Sequence, residues 1–256
     1  MHTTSFQAKL STAGEILPLR TRHRAEMNCQ VVHDSIHDRK GWTLSYLLRS
    51  ESANAGFGSV AIGGPWTGKP TLFEFYVLPE FRHRAFDLFE TLLAIGRPQC
   101  FEVQSNDVLA TVMALTYGQG MATEKIVFHD KQTTSLPANG ATLRCVTHEK
   151  EIRRSLEQRQ GGGEWLLELD GAEIGKGGIL FHYNPPYGDI YMEVNEPFRK
   201  RGFGSYLVQE LKVNCYALGA IPCARCDPTN VASRKTLQCA GFVPFAHILN
   251  GAITPA

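Results

Sequence analysis

The sequence predicts two α/β domains in tandem. Three observations carry that expectation. Short strand-like runs alternate with amphipathic helical patterns through the 256 residues. A polar Pro/Gly stretch, Thr133-Thr-Ser-Leu-Pro-Ala-Asn-Gly140, interrupts the pattern near its middle. A ten-residue segment recurs in both halves, and at about 100–200 residues per domain the length fits two small domains. The linker sets expected domains at 1–137 and 138–256.

Composition narrows the function. Lys plus Arg is 26 and Asp plus Glu is 25, a formal net charge of +1. Such a chain has no overall field to hold a polyanion, so neither a nucleic acid nor a membrane surface is expected as partner. The hydrophobic fraction of 43% and charged fraction of 20% are those of a globular protein. No apolar run approaches the ~20 residues that span a bilayer. Met1–Leu10 lacks the apolar core of a secretory signal. The seven cysteines (Cys29, Cys100, Cys145, Cys215, Cys223, Cys226, Cys239) are odd in number and scattered, which reads as reduced thiols in a cytoplasm. Cys223-Ala-Arg-Cys226 has no second ligand pair at a short spacing, only a lone His247, so no metal is expected.

In chain order, residues 1–20 show no pattern long enough to read and are taken as an N-terminal arm. Glu26–Ile36 is expected to be a helix, with His33 and His37 as a surface pair four residues apart. Strands follow at Trp42–Leu48, Gly58–Ile62 and Leu72–Leu78, a helix at Ala85–Ile95, a strand at Cys100–Gln104, a helix at Val108–Leu115 and a strand at Ala122–His129. Phe73, Phe75, Tyr76, Phe81 and Phe86 read as core of this half. The second half opens with a strand, Thr142–Thr147, and a charged helix, Glu149–Arg159, that carries Ile152 and Leu156 on one face and stops at Gly161-Gly-Gly163. Trp165–Leu169 and Glu173–His182 are strands joined by an Asp170-Gly171 hairpin turn. Asn184-Pro-Pro-Tyr-Gly188 turns the chain into strand Asp189–Val194. Helix Ser205–Leu218 follows, with Leu207, Leu211, Tyr206 and Val213 expected on its buried side. Strand Pro222–Cys226, helix Asn230–Ala240, a stop at Gly241 and strand Phe242–Leu249 complete the pattern.

At an offset of 117, Val77-Leu-Pro-Glu-Phe-Arg-His-Arg-Ala-Phe86 lies over Val194-Asn-Glu-Pro-Phe-Arg-Lys-Arg-Gly-Phe203, with five of ten positions identical. With the same element order on both sides, duplication explains the match. The downstream segment Arg199-Lys-Arg-Gly-Phe-Gly-Ser205 sits between a strand and a helix. Its glycines let a ligand approach the backbone, and the first-turn N–H groups lack intrahelical partners. Those amides and the helix dipole suit a phosphate or diphosphate, and the neighbouring cations favour the same ligand. The bland alternative is a solvated basic turn. A Rossmann fingerprint would need a glycine where Leu207 stands, and a P-loop would need Gly-Lys-Ser/Thr.

Arg199-x-x-Gly-x-Gly204 after strand Ile190–Val194 resembles the acyl-CoA signature of the GNAT superfamily of N-acetyltransferases. Asn230-Val-Ala-Ser233 followed by Gly241-Phe242, and the hairpin Leu167–Gly175, are similar to further pieces of that pattern, over about residues 141–250. The resemblance implies two GNAT-like domains, each a mixed, largely antiparallel sheet flanked by helices and, in the second, splayed between strands 191–194 and 222–226. It implies acetyl-CoA as co-substrate, its diphosphate on the amides of Arg201, Gly202, Phe203, Gly204 and Ser205 beside Arg199 and Lys200. Its pantetheine arm would lie against the backbone of Met192 and Val194, with Asn230 either in contact with it or orienting the loop. The activity implied is transfer of an acetyl or short acyl group to a primary amine of a small molecule or peptide, without a covalent intermediate. A non-catalytic acyl-CoA-binding or sensing protein is the alternative, and a homodimer is one admissible assembly.

Two departures bear on catalysis. The place of the family tyrosine that protonates the thiolate holds Leu237, and that of the usual lysine holds Cys239. Water, the substrate, Tyr183, Tyr187 or Tyr191 would then supply the proton, and Cys226 and Cys239 are the nearest thiols for a covalent route. The expected base is Asp189, with Glu193 second. Alternation from Val194 turns Glu193 to the other face unless a bulge intervenes, and a turn-capping role is the alternative for Asp189. In the first half Ala85 and Asp87 replace Gly202 and Gly204, and a carboxylate at 87 repels a diphosphate. Asn106 echoes Asn230, and Tyr117-Gly118 echoes the helix end. The first domain is expected to keep the scaffold and lose the anion site.

Overall fold

The computed structural model describes residues 5–254. Contacts divide the chain into two compact units. The first holds residues up to Asn28, Ile36–Glu124 and His247 onward, and the second holds Cys29–Ser35 and Lys125–Ala246. The expected cut at 137/138 therefore falls within the second unit.

In the first unit β1 (Phe6–Ser11) and α1 (Ala13–Met27) occupy what the sequence read as an arm. Thr12 and Glu15 close a capping box at the start of α1. The helix eluded the apolar pattern because its buried face carries Arg20 and His23 beside Ile16, Leu19 and Met27. It ends at Met27, so the helix expected over Glu26–Ile36 is not formed. Asp34–Asp38 is instead a short 3-10 turn. His37 is not a surface residue: its side chain is buried against Glu74, 2.7 Å away. Next come β2 (Thr43–Ser50), β3 (Ala53–Ala61), β4 (Thr71–Val77), α2 (Ala85–Gly96), β5 (Cys100–Gln104) and α3 (Val108–Tyr117). β1 to β4 pair antiparallel in order, and β5 is parallel to β4. The core gathers Leu48, Val60, Phe75, Leu88, Phe89, Leu92, Phe101 and Met113, while Phe86 is 49% exposed rather than core.

β6 (Gly118–Asp130) leads into the second unit, where Ile126–His129 pair antiparallel with Cys226–Cys223. There follow β7 (Thr142–Cys145), α4 (Glu149–Gln158), β8 (Gly162–Leu169), β9 (Ala172–Leu180), β10 (Tyr187–Val194), α5 (Phe203–Ala217), β11 (Ile221–Cys226), α6 (Val231–Cys239) and β12 (Phe242–Ile253). β7 to β10 are antiparallel neighbours and β11 runs parallel to β10. Residues 248–252 of β12 pair with β5 and belong to the first unit. Leu207, Val208 and Leu211 of α5 pack on Trp165, Ile179, Phe181 and Ile190; Val213, expected on that side, is 60% exposed. Among the described residues no helix is long and apolar enough to cross a membrane.

The repeat extends beyond the segment that revealed it. Gly56 and Gly58 of β3 oppose Val77 and Phe75, and Gly175 and Gly177 of β9 oppose Val194 and Met192 in the same register. A Cβ on Gly58 would lie 2.3 Å from Leu92 of α2, and one on Gly177 would lie 2.8 Å from Leu211 of α5. Bare backbone at these positions lets each helix sit close on its sheet.

Candidate functional site

The β10–β11 register runs Tyr187↔Ile221, Gly188↔Pro222, Asp189↔Cys223 and stops there, five residues before β10 ends. Beyond that point a cavity of about 770 Å³ opens, bounded by Met192, Glu193 and Val194 on one side and Asn230 to Thr236 of α6 on the other. Arg199, Lys200 and Gly204 line its mouth. Lys235 and Thr236 also line it; the sequence pattern did not mark them, although they sit one helical turn beyond Val231 and Ala232.

The turn before α5 takes its shape from two left-handed residues, Lys200 (φ 61°) and Gly202 (φ 86°). Gly202 caps α5 without a side-chain hydrogen bond, which leaves the first-turn N–H groups to an external acceptor. Arg199 is committed elsewhere: its Nε donates to the Val194 carbonyl at 2.8 Å. Arg82 makes the same bond to the Val77 carbonyl at 3.0 Å. The arginine shared by both copies thus braces the strand–helix turn. Arg201 lies over the Phe198 and Phe203 rings. Phe203 is core, Ser205 half-buried, and Asn139 donates to the Arg201 carbonyl. Asn230 caps α6, its Oδ1 accepting from Ser233 N–H at 2.9 Å.

β10 shows no register shift against β9. Ile190 and Val194 face the core, so Asp189, Tyr191 and Glu193 share the opposite face. Glu193 is exposed on the cavity rim. Asp189 is buried at the point where the strands part, its Oδ2 3.2 Å from His182 Nε2 and 3.9 Å from Arg225 Nε. The Tyr183 hydroxyl is buried beside it; burial first, then the Asp189 charge, push that phenol far up. Tyr187 is pushed to about 12 by burial. Tyr191, whose hydroxyl donates to Glu164 at 3.1 Å, is pushed to about 12 by burial and then by that carboxylate. Cys226 and Leu237 are buried, and Cys239 is exposed. The Cys223 thiol donates to the Gly188 carbonyl. Among the described residues no cluster of three or more metal-ligating side chains forms.

The first unit parts its strands at the same place: Thr71↔Cys100 and Leu72↔Phe101, then no further pairing among the described residues while β4 runs five residues on. There the space shrinks to about 250 Å³ and is lined from α1 by His23, Glu26 and Met27. His23 Nε2 meets Asp107 at 2.7 Å. Glu26 accepts from Tyr76 Oη at 2.6 Å and pairs with Arg82. Asn106 Nδ2 reaches the Met27 carbonyl at 3.3 Å. At the mouth of α2, Asp87 pairs with Arg84 at 2.9 Å. The counterpart of Asn230 is Asp107, which caps α3 through the Ala110 N–H at 3.0 Å, rather than Asn106.

Over residues 133–242 the chain matches the Acetyltransferase (GNAT) family, whose chemistry is acyl transfer with acetyl-CoA as co-substrate. Its fold is similar to that of a GNAT-family acetyltransferase from Colwellia psychrerythraea (TM-score 0.68, 14% identity, covering 98% of this chain and 100% of that one). It is also similar to a tandem GNAT protein from the clavulanic acid biosynthesis pathway solved without AcCoA (0.63, 14%, 99% and 100%). A GCN5-related N-acetyltransferase from Sphaerobacter thermophilus shares it as well (0.61, 16%, 98% and 96%). A search of curated protein sequences gives no match.

Proposed function

We propose that the second unit transfers an acetyl or other short acyl group from acyl-CoA to a primary amine by direct attack on the thioester. The observation that carries this reading is the cavity of about 770 Å³ beginning where β10 and β11 part, with the uncapped first turn of α5 at its mouth. The residues present fit the coenzyme. Gly204 carries no side chain into the mouth, the amides of Arg201 to Ser205 suit its diphosphate, and Lys200 and Lys235 supply compensating charge. The edge of β10 at Met192 and Val194 that β11 leaves without a ladder partner suits its amide-bearing arm. Bound there, the coenzyme supplies an activated acyl group. The chain's own work is to hold that arm straight, to offer a backbone N–H to the carbonyl and to receive a proton at the apex of the splay. Of the two expected bases, Asp189 lies at that apex and Glu193 on the cavity rim.

The first unit, with α1 in its splay and Asp87 at its helix mouth, would bind no acyl-CoA. Calorimetry with acetyl-CoA should give one site per chain, and thiol release should follow on mixing with ethanolamine, 1,5-diaminopentane, tyramine or hydroxylamine. Absence of binding refutes the reading. Binding without release on any amine favours instead an acyl-CoA sensor, for which the buried Leu237 in place of an acid is the motive.

A further inference from the structure

We propose that His182 takes the acceptor's proton, with Asp189 as its positioning residue; the proposal rests on the acyl-transfer reading above. Asp189 is the last residue of β10 paired with β11. Its side chain is 8% exposed against 21% for that of His182. His182 Nε2 is itself buried, 3.2 Å from the carboxylate and without a hydrogen bond in this resting geometry, so the exposed part of the imidazole is the rest of the ring and a small turn of the ring would engage Asp189. A carboxylate so enclosed, with Arg225 on another side, is poorly placed to meet a substrate proton directly. It is well placed to hold an imidazole in one tautomer, Nε2–H turned to Asp189 and the Nδ1 lone pair outward.

The duplication supplies an internal control. The last pair before the strands part is Asp189↔Cys223 in the second unit and Leu72↔Phe101 in the first. Asp189 therefore corresponds to Leu72, and Arg225, two residues beyond Cys223, corresponds to Val103. Leu72 is 0% and Val103 1% exposed. Sheet and strand geometry at this apex are thus satisfied by apolar side chains. Burying charge there disfavours folding unless something is gained, and the charges stand in the copy whose cleft is open.

The step balances as follows. One proton of the acceptor ammonium passes to His182 Nδ1. The freed lone pair forms the C–N bond at the thioester carbonyl. The C–S bond breaks with its electrons on sulfur, which takes a second proton from the amine nitrogen to become the thiol. His182 then returns its proton to solvent, so one proton is released per acyl group transferred.

The test compares the most active alkylamine of the panel above with hydroxylamine, a nucleophile that is already neutral near pH 7 and needs no base. His182→Gln should lower the alkylamine rate by about 10²–10⁴-fold and the hydroxylamine rate by less than about tenfold, with acetyl-CoA affinity unchanged by calorimetry. Asp189→Asn should show the same asymmetry at smaller size, in kcat rather than in coenzyme affinity. Imidazole added to His182→Gly should restore alkylamine turnover, which keeps the test valid if the glutamine variant does not fold. Full alkylamine activity in His182→Gln, equal losses on both nucleophiles, or no imidazole rescue in a folded His182→Gly overturns the proposal while leaving the acyl-transfer reading intact. Failure of the wild type to bind acetyl-CoA overturns that reading first.

Discussion

Gly204→Asp transplants the first unit's Asp87 into the second. A Cβ at Gly204 would lie 3.3 Å from the Thr236 methyl and 3.7 Å from Val194 Cγ2, so the backbone accepts a side chain if Thr236 yields by a few tenths of an ångström. A carboxylate there would stand about 5 Å from a diphosphate on the first-turn amides. At an effective dielectric of about 20, that repulsion is about 3 kcal/mol per phosphate charge. One such term weakens binding by about a hundredfold. In the empty protein the same carboxylate faces the positive end of α5 and contributes about 0.3–1 kcal/mol in the stabilising direction. The variant should therefore melt no lower than wild type alone and lose the upward Tm shift that acetyl-CoA gives wild type. Gly204→Ala separates size from charge, with an expected loss below about tenfold. If calorimetry finds Gly204→Asp binding acetyl-CoA as well as Gly204→Ala does, the diphosphate does not lie on this turn.

Other consequences concern stability. Lys212 is buried and its Nζ meets Asp130 at 2.7 Å and the carbonyls of Gln132 and Ala240 at 2.8 and 2.6 Å. Lys212→Met should cost about 3–5 kcal/mol in urea denaturation by leaving the Asp130 charge without its cation, with only the Tyr216 hydroxyl still donating to it, and Asp130→Asn with Lys212→Met should recover much of it. Gly177→Ala should cost about 1–3 kcal/mol by the same measurement, because its Cβ would meet the Tyr191 carbonyl at 2.7 Å as well as Leu211. Two buried groups of the first unit set opposite limits on pH. Burial alone would raise Glu74, but the His37 charge and hydrogen bond outweigh it and hold the carboxyl well below its ordinary value. Its contribution is full above the unfolded value and lost as pH falls through the folded one. Burial alone would lower His23, but the hydrogen bond and charge of Asp107 outweigh it and raise the imidazole. That contribution is full below the unfolded value and lost as pH rises through the folded one. Glu74→Gln should flatten the acid side of a Tm-against-pH curve, and His23→Gln the alkaline side.

The repeat was legible where one physical demand is met by one residue type in both copies. Arg82 and Arg199 each bond the carbonyl five residues back, each directly after a Phe, Phe81 or Phe198. The Gly-x-Gly pairs at 56/58 and 175/177 serve a common packing demand too, but their offset is 119, because the loops between strands differ in length. A single-offset comparison passes over them. α1 was illegible for a different reason: a helix whose buried face includes arginine and histidine has no apolar stripe to read, and its partners Glu74 and Asp107 are far along the chain. The parted strands could be expected from the resemblance alone. His182 left no mark at all, since nothing in the spacing of one loop histidine tells that it will meet a strand carboxylate seven residues on.

The two copies show what an open cleft demands of this fold. Between parted strands, backbone groups have no ladder partner and a cavity forgoes packing contacts, both of which count against the folded state. In the first unit the deficit in packing and at the helix ends is largely answered within the chain. α1 lays Met27 and His23 into the gap, Asp107 takes the cap position, and Asp87 with Arg84 settles the positive helix end. The second unit keeps the deficits, with glycine at the helix mouth and, from Ile190 to Val194, no partner on the edge that faces β11. A ligand that meets those groups restores the missing contacts and, by mass action, stabilises only the unit that lacks them. The same substitutions that closed the first cleft therefore say which interactions a ligand of the second must make: an acceptor for the amides at 203–205, a partner for the strand edge at 192–194, and something for Asn230 that is not a carboxylate.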